Sequence, residues 1–236
     1  MSDTSERLIF ALDVTTVKEA QEWVLKLEGL VSFFKIGLEL QLSAGTHFID
    51  WLIQQEKKVF LDYKYFDVET TVRRAVAHVA GLGAHFLTIH GNRSIVEAAV
   101  AGRGQHPLKL LAVTVLTSFD TLDIQEMGFP CTTEALVLHR GQRAFEAGCD
   151  GVVASAREAK ALRNLAKKTA LIVIPGIRPE GTKSTEHKRS ATPTEAIVAG
   201  ADYLVVGRPI RDAVNPQFIA EKILSEMALA FRASKL

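Results

Sequence analysis

Residues 58–71 read KVFLDYKYFDVETT. The first half is an apolar run of the kind that forms a strand covered on both faces. At its end stand Asp62, Lys64 and, past the run, Asp67. Residues two apart on a strand share a face, so Asp62 and Lys64 point the same way. Two acids around a lysine at the end of a buried strand call for a reason, because each buried charge costs several kcal/mol unless it is paired.

Outward from this stretch, similar runs recur along the chain: RLIFALDV (7–14), FFKIGLEL (33–40), FLTIHG (86–91), KLLAVTVL (109–116), GVVAS (151–155), ALIVIPGI (170–177) and YLVVGRPI (203–210). Between them lie amphipathic patterns at 17–28, 69–82, 94–101, 132–147, 157–166 and 193–199. In the first of these, Val17, Ala20, Val24 and Leu27 recur at 3–4 spacing, which predicts a helix with one apolar stripe. Eight apolar strands alternating with helices predict a parallel (β/α)8 TIM barrel, one domain over residues 1–236. A doubly wound dinucleotide fold is disfavoured. It stops at five or six strands and needs a glycine-rich turn after the first, where this chain has Asp13-Val14-Thr15-Thr16. GRGQ (102–105) follows a helix and is no fingerprint.

Composition narrows the partners. The chain has 236 residues, 47% hydrophobic and 23% charged, with net charge +1. A near-neutral chain gives no footprint for nucleic acid. Cys131 and Cys149 form no metal or redox motif, which fits a reducing cytoplasm. The N-terminal residues carry no apolar signal core, and no apolar run is long enough for a membrane span. The seven histidines lack ligand spacing, so no metal site is expected. His90, at a strand end, reads as a hydrogen-bonded structural residue.

In a barrel of this class, chemistry collects at the C-terminal ends of the strands. Asp13 ends the first run, Lys35 sits in the second, Asp62 and Lys64 in the third, and Thr117-Ser118 follow the fifth. If Lys35 reaches Asp62 and Lys64 from the neighbouring strand, lysines and aspartates alternate in one pocket. The plain alternative is an ion-paired plug at the barrel mouth, but five charges converging are more than a plug needs. After the seventh and eighth strands come Arg178 and Gly207-Arg208, where barrels commonly hold a phosphate. An arginine fork suits two phosphate oxygens, and a glycine admits the backbone to an anion. The polar loop 178–193 reads as a lid, with a helix capped by Thr192 and begun by Pro193 at its end.

Asp62-x-Lys64-x-x-Asp67, Asp13 in FALDV, Lys35 in FFKIG, AVTVLTS (112–118), IPGIRP (174–179) and VVGRPI (205–210) together resemble orotidine 5′-phosphate decarboxylases of the bacterial branch, in order and approximate spacing over essentially the whole chain. Two positions depart: Val68-Glu69 stands where the family often has Ile-Pro, and His187 stands where bacterial members carry a phosphate-contacting Gln. The resemblance implies conversion of orotidine 5′-monophosphate to UMP and CO₂, the last step of de novo pyrimidine nucleotide synthesis, without metal or cofactor. It implies that Lys64 stabilises and protonates the C6 carbanion, with Asp62, Lys35 and Asp67 completing the array. Asp13 would hold ribose, Thr117 or Ser118 the pyrimidine edge, and Arg178, His187, Gly207 and Arg208 the phosphate. It further implies a homodimer in which Asp67 and Thr71 reach the partner's site. Three other readings stay open. One is a Mg²⁺-dependent sugar-phosphate decarboxylase or aldol synthase of the same superfamily. Another is a Schiff-base aldolase using Lys64. The third is a non-catalytic barrel that senses a nucleotide.

Overall fold

A computed structural model describes residues 4–179 and 190–234. Its eight parallel strands close into a barrel in sequence order. The first half runs β1 (Leu8–Leu12), α1 (Val17–Lys26), β2 (Phe33–Ile36), α2 (Leu38–Ala44), α3 (His47–Gln54), β3 (Lys58–Tyr65), α4 (Glu69–Ala80), β4 (Phe86–His90) and α5 (Arg93–Arg103). The second half runs β5 (Lys109–Val113), α6 (Thr121–Glu126), α7 (Thr133–Glu146), β6 (Gly151–Val153), α8 (Ala156–Leu165), β7 (Leu171–Ile174), α9 (Pro193–Val198), β8 (Tyr203–Val206), α10 (Arg208–Arg211) and α11 (Pro216–Ala233). The expected (β/α)8 architecture is the one observed.

Alternation along each strand divides two cores. Ile9, Phe33, Phe60, Phe86, Leu111, Val173 and Val205 fill the barrel interior. Their neighbours Leu8, Phe10 and Leu12 face outward into the layer between barrel and helices. Phe10 lies 5.4 Å from Trp23 of α1, centroid to centroid. Inside, the Phe86 ring sits 4.9 Å from Phe33 and 5.8 Å from Phe60. These aromatic rings close the barrel beneath its mouth, so the mouth has a dry floor. Thr192 caps α9 with Pro193 in the first turn, as the sequence predicts, and Thr16 caps α1 by accepting the Glu19 N–H.

Several strands end earlier than their apolar runs. The run 33–40 stops pairing at Ile36, and Leu38 begins α2, whose Leu40 and Ala44 are buried at helical spacing. The run 203–210 stops at Val206, and Arg208 opens the helical turn α10. The runs 109–116, 151–155 and 170–177 likewise leave the sheet at Val113, Val153 and Ile174. Apolar composition continues past β5, β6, β7 and β8 because Val115, Ala154, Ile177 and Ile210 in the following segments are also buried. Helices α2, α3, α6, α10 and α11 fall outside the amphipathic patterns read from the sequence. Among the described residues, no helix is long and apolar enough to cross a membrane. Both cysteines are free thiols.

Candidate active site

The mouth of the barrel holds a cavity of about 390 Å³. Asp13, Lys35, Asp62, Lys64, Thr117, Arg178, Gly207 and Arg208 all line it. Its remaining wall is largely apolar, with Phe60, Val113, Val115, Leu116, Val153 and Val205. Lys35 and Asp62, the most buried of the charges, are poorly screened inside such a wall, so their placement matters more than it would in water.

The charged groups form one chain. Lys35 Nζ lies 3.0 Å from Asp13 Oδ1 and 3.5 Å from Asp62 Oδ2. Lys64 Nζ lies 2.9 Å from Asp62 Oδ1. The order Asp13–Lys35–Asp62–Lys64 therefore alternates in sign, and each inner member has an opposite charge on both sides. Register explains it: Lys35 pairs with Ala11 and Phe60, one inward-facing step before Asp13 and Asp62, and its long side chain carries the ammonium up between the two carboxylates. Gly37 keeps the space open, because a Cβ there would stand 3.3 Å from Lys35 Nζ and 3.5 Å from Asp13 Oδ1. Arg211, at the end of α10, braces Asp13 by donating to its backbone oxygen at 2.8 Å.

Two groups in this chain are shifted in opposite directions. For Lys35, burial disfavours the charge, but Asp62 and Asp13 outweigh burial and hold the amine above its ordinary value of 10.5. For Asp62, burial favours the neutral acid, but Lys35 and Lys64 outweigh it, with hydrogen bonds from Lys64 and Thr88, and its carboxyl lies below 3.8. Both groups are therefore ionised near neutrality.

Lys64 occupies an unusual backbone position. Its φ is +50°, a region that lysine seldom visits. Pairing between β3 and β4 jumps from Leu61–Leu87 to Tyr65–Ile89, so three residues of β3 lie opposite Thr88 alone. Thr88 is fully buried, accepts the Lys64 backbone N–H at 2.9 Å and donates to Asp62 Oδ1 at 3.0 Å. Sequence reading missed Thr88. The available signal is parity: Phe86 and Thr88 share the inward face of β4, and a hydroxyl there has to find polar partners.

The other expected residues divide. Arg178 follows β7 and donates to the Ile177 carbonyl at 3.0 Å. Thr117 lines the cavity from the turn after β5, whereas Ser118 is exposed and outside the lining. Asp67 and Thr71 are exposed and outside it too; Asp67 Oδ1 accepts the adjacent Val68 N–H at 2.6 Å. The structure does not bring either into its own chain's cavity. His187 lies outside the described residues. His90 bonds Asn92 at 3.0 Å and packs on Phe66, as a structural residue would. Among the described residues, no group of three or more His, Cys, Asp or Glu side chains could hold a metal.

Comparison with known proteins agrees with this geometry. The profile of the Orotidine 5′-phosphate decarboxylase / HUMPS family matches residues 6–223. A protein from Nitrobacter winogradskyi named orotidine 5′-phosphate decarboxylase is 55% identical over 227 residues, covering 96% of this chain and 95% of its own. A protein of the same name from Methylococcus capsulatus is 46% identical, covering 97% and 95%. The crystal structure of orotidine 5′-phosphate decarboxylase from Lactobacillus acidophilus superposes with TM-score 0.82 at 34% identity, covering 94% of this chain and 99% of that one. With the profile spanning nearly every element of the barrel, the chain belongs to the orotidine 5′-phosphate decarboxylase / HUMPS family.

Proposed function

We propose that this chain decarboxylates orotidine 5′-monophosphate to UMP and CO₂, without a metal, with Lys64 as the proton donor. The family and the names of its relatives put the chain among the carboxy-lyases. The observation that carries the finer reading is the Asp13–Lys35–Asp62–Lys64 chain in an apolar mouth that also holds Arg178 and Arg208.

The chemistry asks for such a site. The bond from C6 to the carboxylate breaks, CO₂ leaves, and the bonding electron pair stays on C6. No ring position delocalises that pair, so a fixed positive charge beside C6 must stabilise it. Lys64 offers the charge and then the proton, which passes from Nζ to C6 and completes UMP. Asp62, ionised and 2.9 Å away, holds the ammonium in place. Lys35 keeps Asp62 ionised and, with Asp13, faces the ribose. Arg178, Gly207 and Arg208 receive the phosphate, together with His187. Binding energy from that remote group then serves the reacting centre.

The competing readings fit less well. Both Asp62 oxygens already have an ammonium within 3.5 Å, and those two positive charges would repel a divalent cation there. A sensing barrel needs the phosphate end but not four alternating interior charges. We further infer a homodimer. Asp67 and Thr71 are exposed, and the apolar Phe66 and Val68 beside Asp67 are 63% and 69% exposed, which suits a two-fold contact carrying Asp67 to the partner's mouth.

The test is to add orotidine 5′-monophosphate and follow pyrimidine absorbance and CO₂ release, with and without EDTA. Equal turnover in both is expected. Turnover lost to EDTA would favour the Mg²⁺-dependent enzyme, and binding without turnover the sensor. Inactivation by borohydride with substrate would favour the Schiff base.

A further inference from the structure

We propose that Thr88 is a positioning residue for the decarboxylation: its hydroxyl fixes the bulged backbone of β3 so that the Lys64 ammonium is aimed at C6. The inference rests on the reading of Lys64 as proton donor and goes beyond it, to what places that donor.

A hydroxyl has one proton and two acceptor positions. In Thr88 the proton goes to Asp62 Oδ1, and a lone pair takes the Lys64 N–H. Lys64 Nζ reaches the same oxygen of Asp62. The result is a closed ring: Lys64 N–H to Thr88 Oγ1, Thr88 O–H to Asp62 Oδ1, and Lys64 Nζ–H to that oxygen again. Both ends of one lysine are thus tied to one carboxylate, the ammonium directly and the backbone through Thr88.

The ring sits where the pairing of β3 with β4 is broken. Three residues of β3 face Thr88 alone, so ordinary strand pairing is interrupted between Leu61 and Tyr65. Lys64 is held at φ +50° in that gap. A strained backbone at a functional site persists only when its surroundings over-determine it. Thr88 supplies a side-chain acceptor to the strained residue itself, from a position with no solvent access. Asp62 needs this donor as well, since Thr88 is among the groups that keep it ionised. Thr88 does not line the cavity, so its effect on substrate must pass through Asp62 and Lys64.

Thr88→Val keeps the branched shape and removes both hydrogen bonds. Thr88→Ser keeps the hydroxyl and removes a methyl. We expect Thr88→Val to lower kcat about 10- to 100-fold, the range for a reacting group misplaced by about an ångström. Its affinity for UMP, which lacks the carboxylate and needs no aimed proton, should stay within about threefold of wild type. Thr88→Ser should restore kcat to within about fivefold. Should Thr88→Val not fold, Thr88→Ala, which also lacks the hydroxyl, replaces it in the comparison with serine. Wild-type kcat in the hydroxyl-free variant overturns the proposal. So does a loss of UMP affinity as large as the loss of kcat, or a serine variant as slow as valine. Lys64→Ala, run alongside, separates the two levels. If it turns over like wild type, the donor reading falls and this inference with it. If it is inactive while Thr88→Val is not impaired, only the positioning role falls.

Discussion

Asp62 is the residue on which the site's electrostatics turn. Two lysines and a threonine lower its carboxyl below 3.8, against the pull of burial. A lowered acid contributes stability that is present above 3.8 and lost as pH falls through the native value. Lys35, raised above 10.5, has the opposite sense: its contribution is present below 10.5 and lost as pH rises through its native value. Between these limits neither group changes stability with pH. Asp62→Asn should therefore flatten the acid limb below 3.8, by at most one proton, or ~1.4 kcal/mol per pH unit. Urea unfolding between pH 2.5 and 5 measures this, and an unchanged slope would show that Asp62 is not held low. Arg178 is tested at its own end of the cavity. Arg178→Ala should weaken UMP binding by roughly 1.5–3 kcal/mol and uridine binding far less. Equal losses for both ligands would remove Arg178 from the phosphate end.

At the scale of elements, what positions the site is register and close approach. Strands β1, β2 and β3 set Lys35 one inward-facing step below Asp13 and Asp62, and the aromatic floor below leaves the charges only each other and the mouth. Helices α4 and α5 approach so closely that a Cβ on Gly102 would collide with the Arg73 carbonyl oxygen. Backbone cannot swing aside as a side-chain tip can. Gly102→Ala should cost about 1–3 kcal/mol by overpacking, despite alanine's better helix propensity. Thermal unfolding reads the cost, and an unchanged or higher Tm would mean that the helices separate freely. This scale also marks how far the sequence could be read. All eight strands were legible, because a strand buried on both faces is continuously apolar. Their C-terminal ends were not: Leu38 and Ile210 continue the apolar run although the chain has already turned into helix. Of the site, Asp13, Lys35, Asp62 and Lys64 were legible from their place at strand ends, and Arg178 and Arg208 from their place after the last two strands. Thr88 was not, because one threonine in FLTIH looks like any β-former. Its role depends on a bulge in a different strand, which no local pattern displays.

At the scale of the molecule, the proposed dimer and the chemistry make separate claims. If Asp67 serves the partner's mouth, two inactive variants complement each other. In a mixed dimer of Lys64→Ala with Asp67→Ala, one site loses both residues and the other keeps both. Random reassociation makes about half of the dimers mixed, so roughly a quarter of wild-type activity should return. No recovery in verified mixed dimers would assign Asp67 elsewhere and leave the chemistry standing. The chemistry itself rests on Lys64, the end of the charged chain and the one group placed to give C6 both a positive charge and a proton. The most direct measurement is turnover of orotidine 5′-monophosphate by Lys64→Ala, with UMP binding by the same preparation as the check on an intact pocket. UMP bound and no turnover is the expected result; more than about a tenth of wild-type turnover from that variant would contradict the role of Lys64.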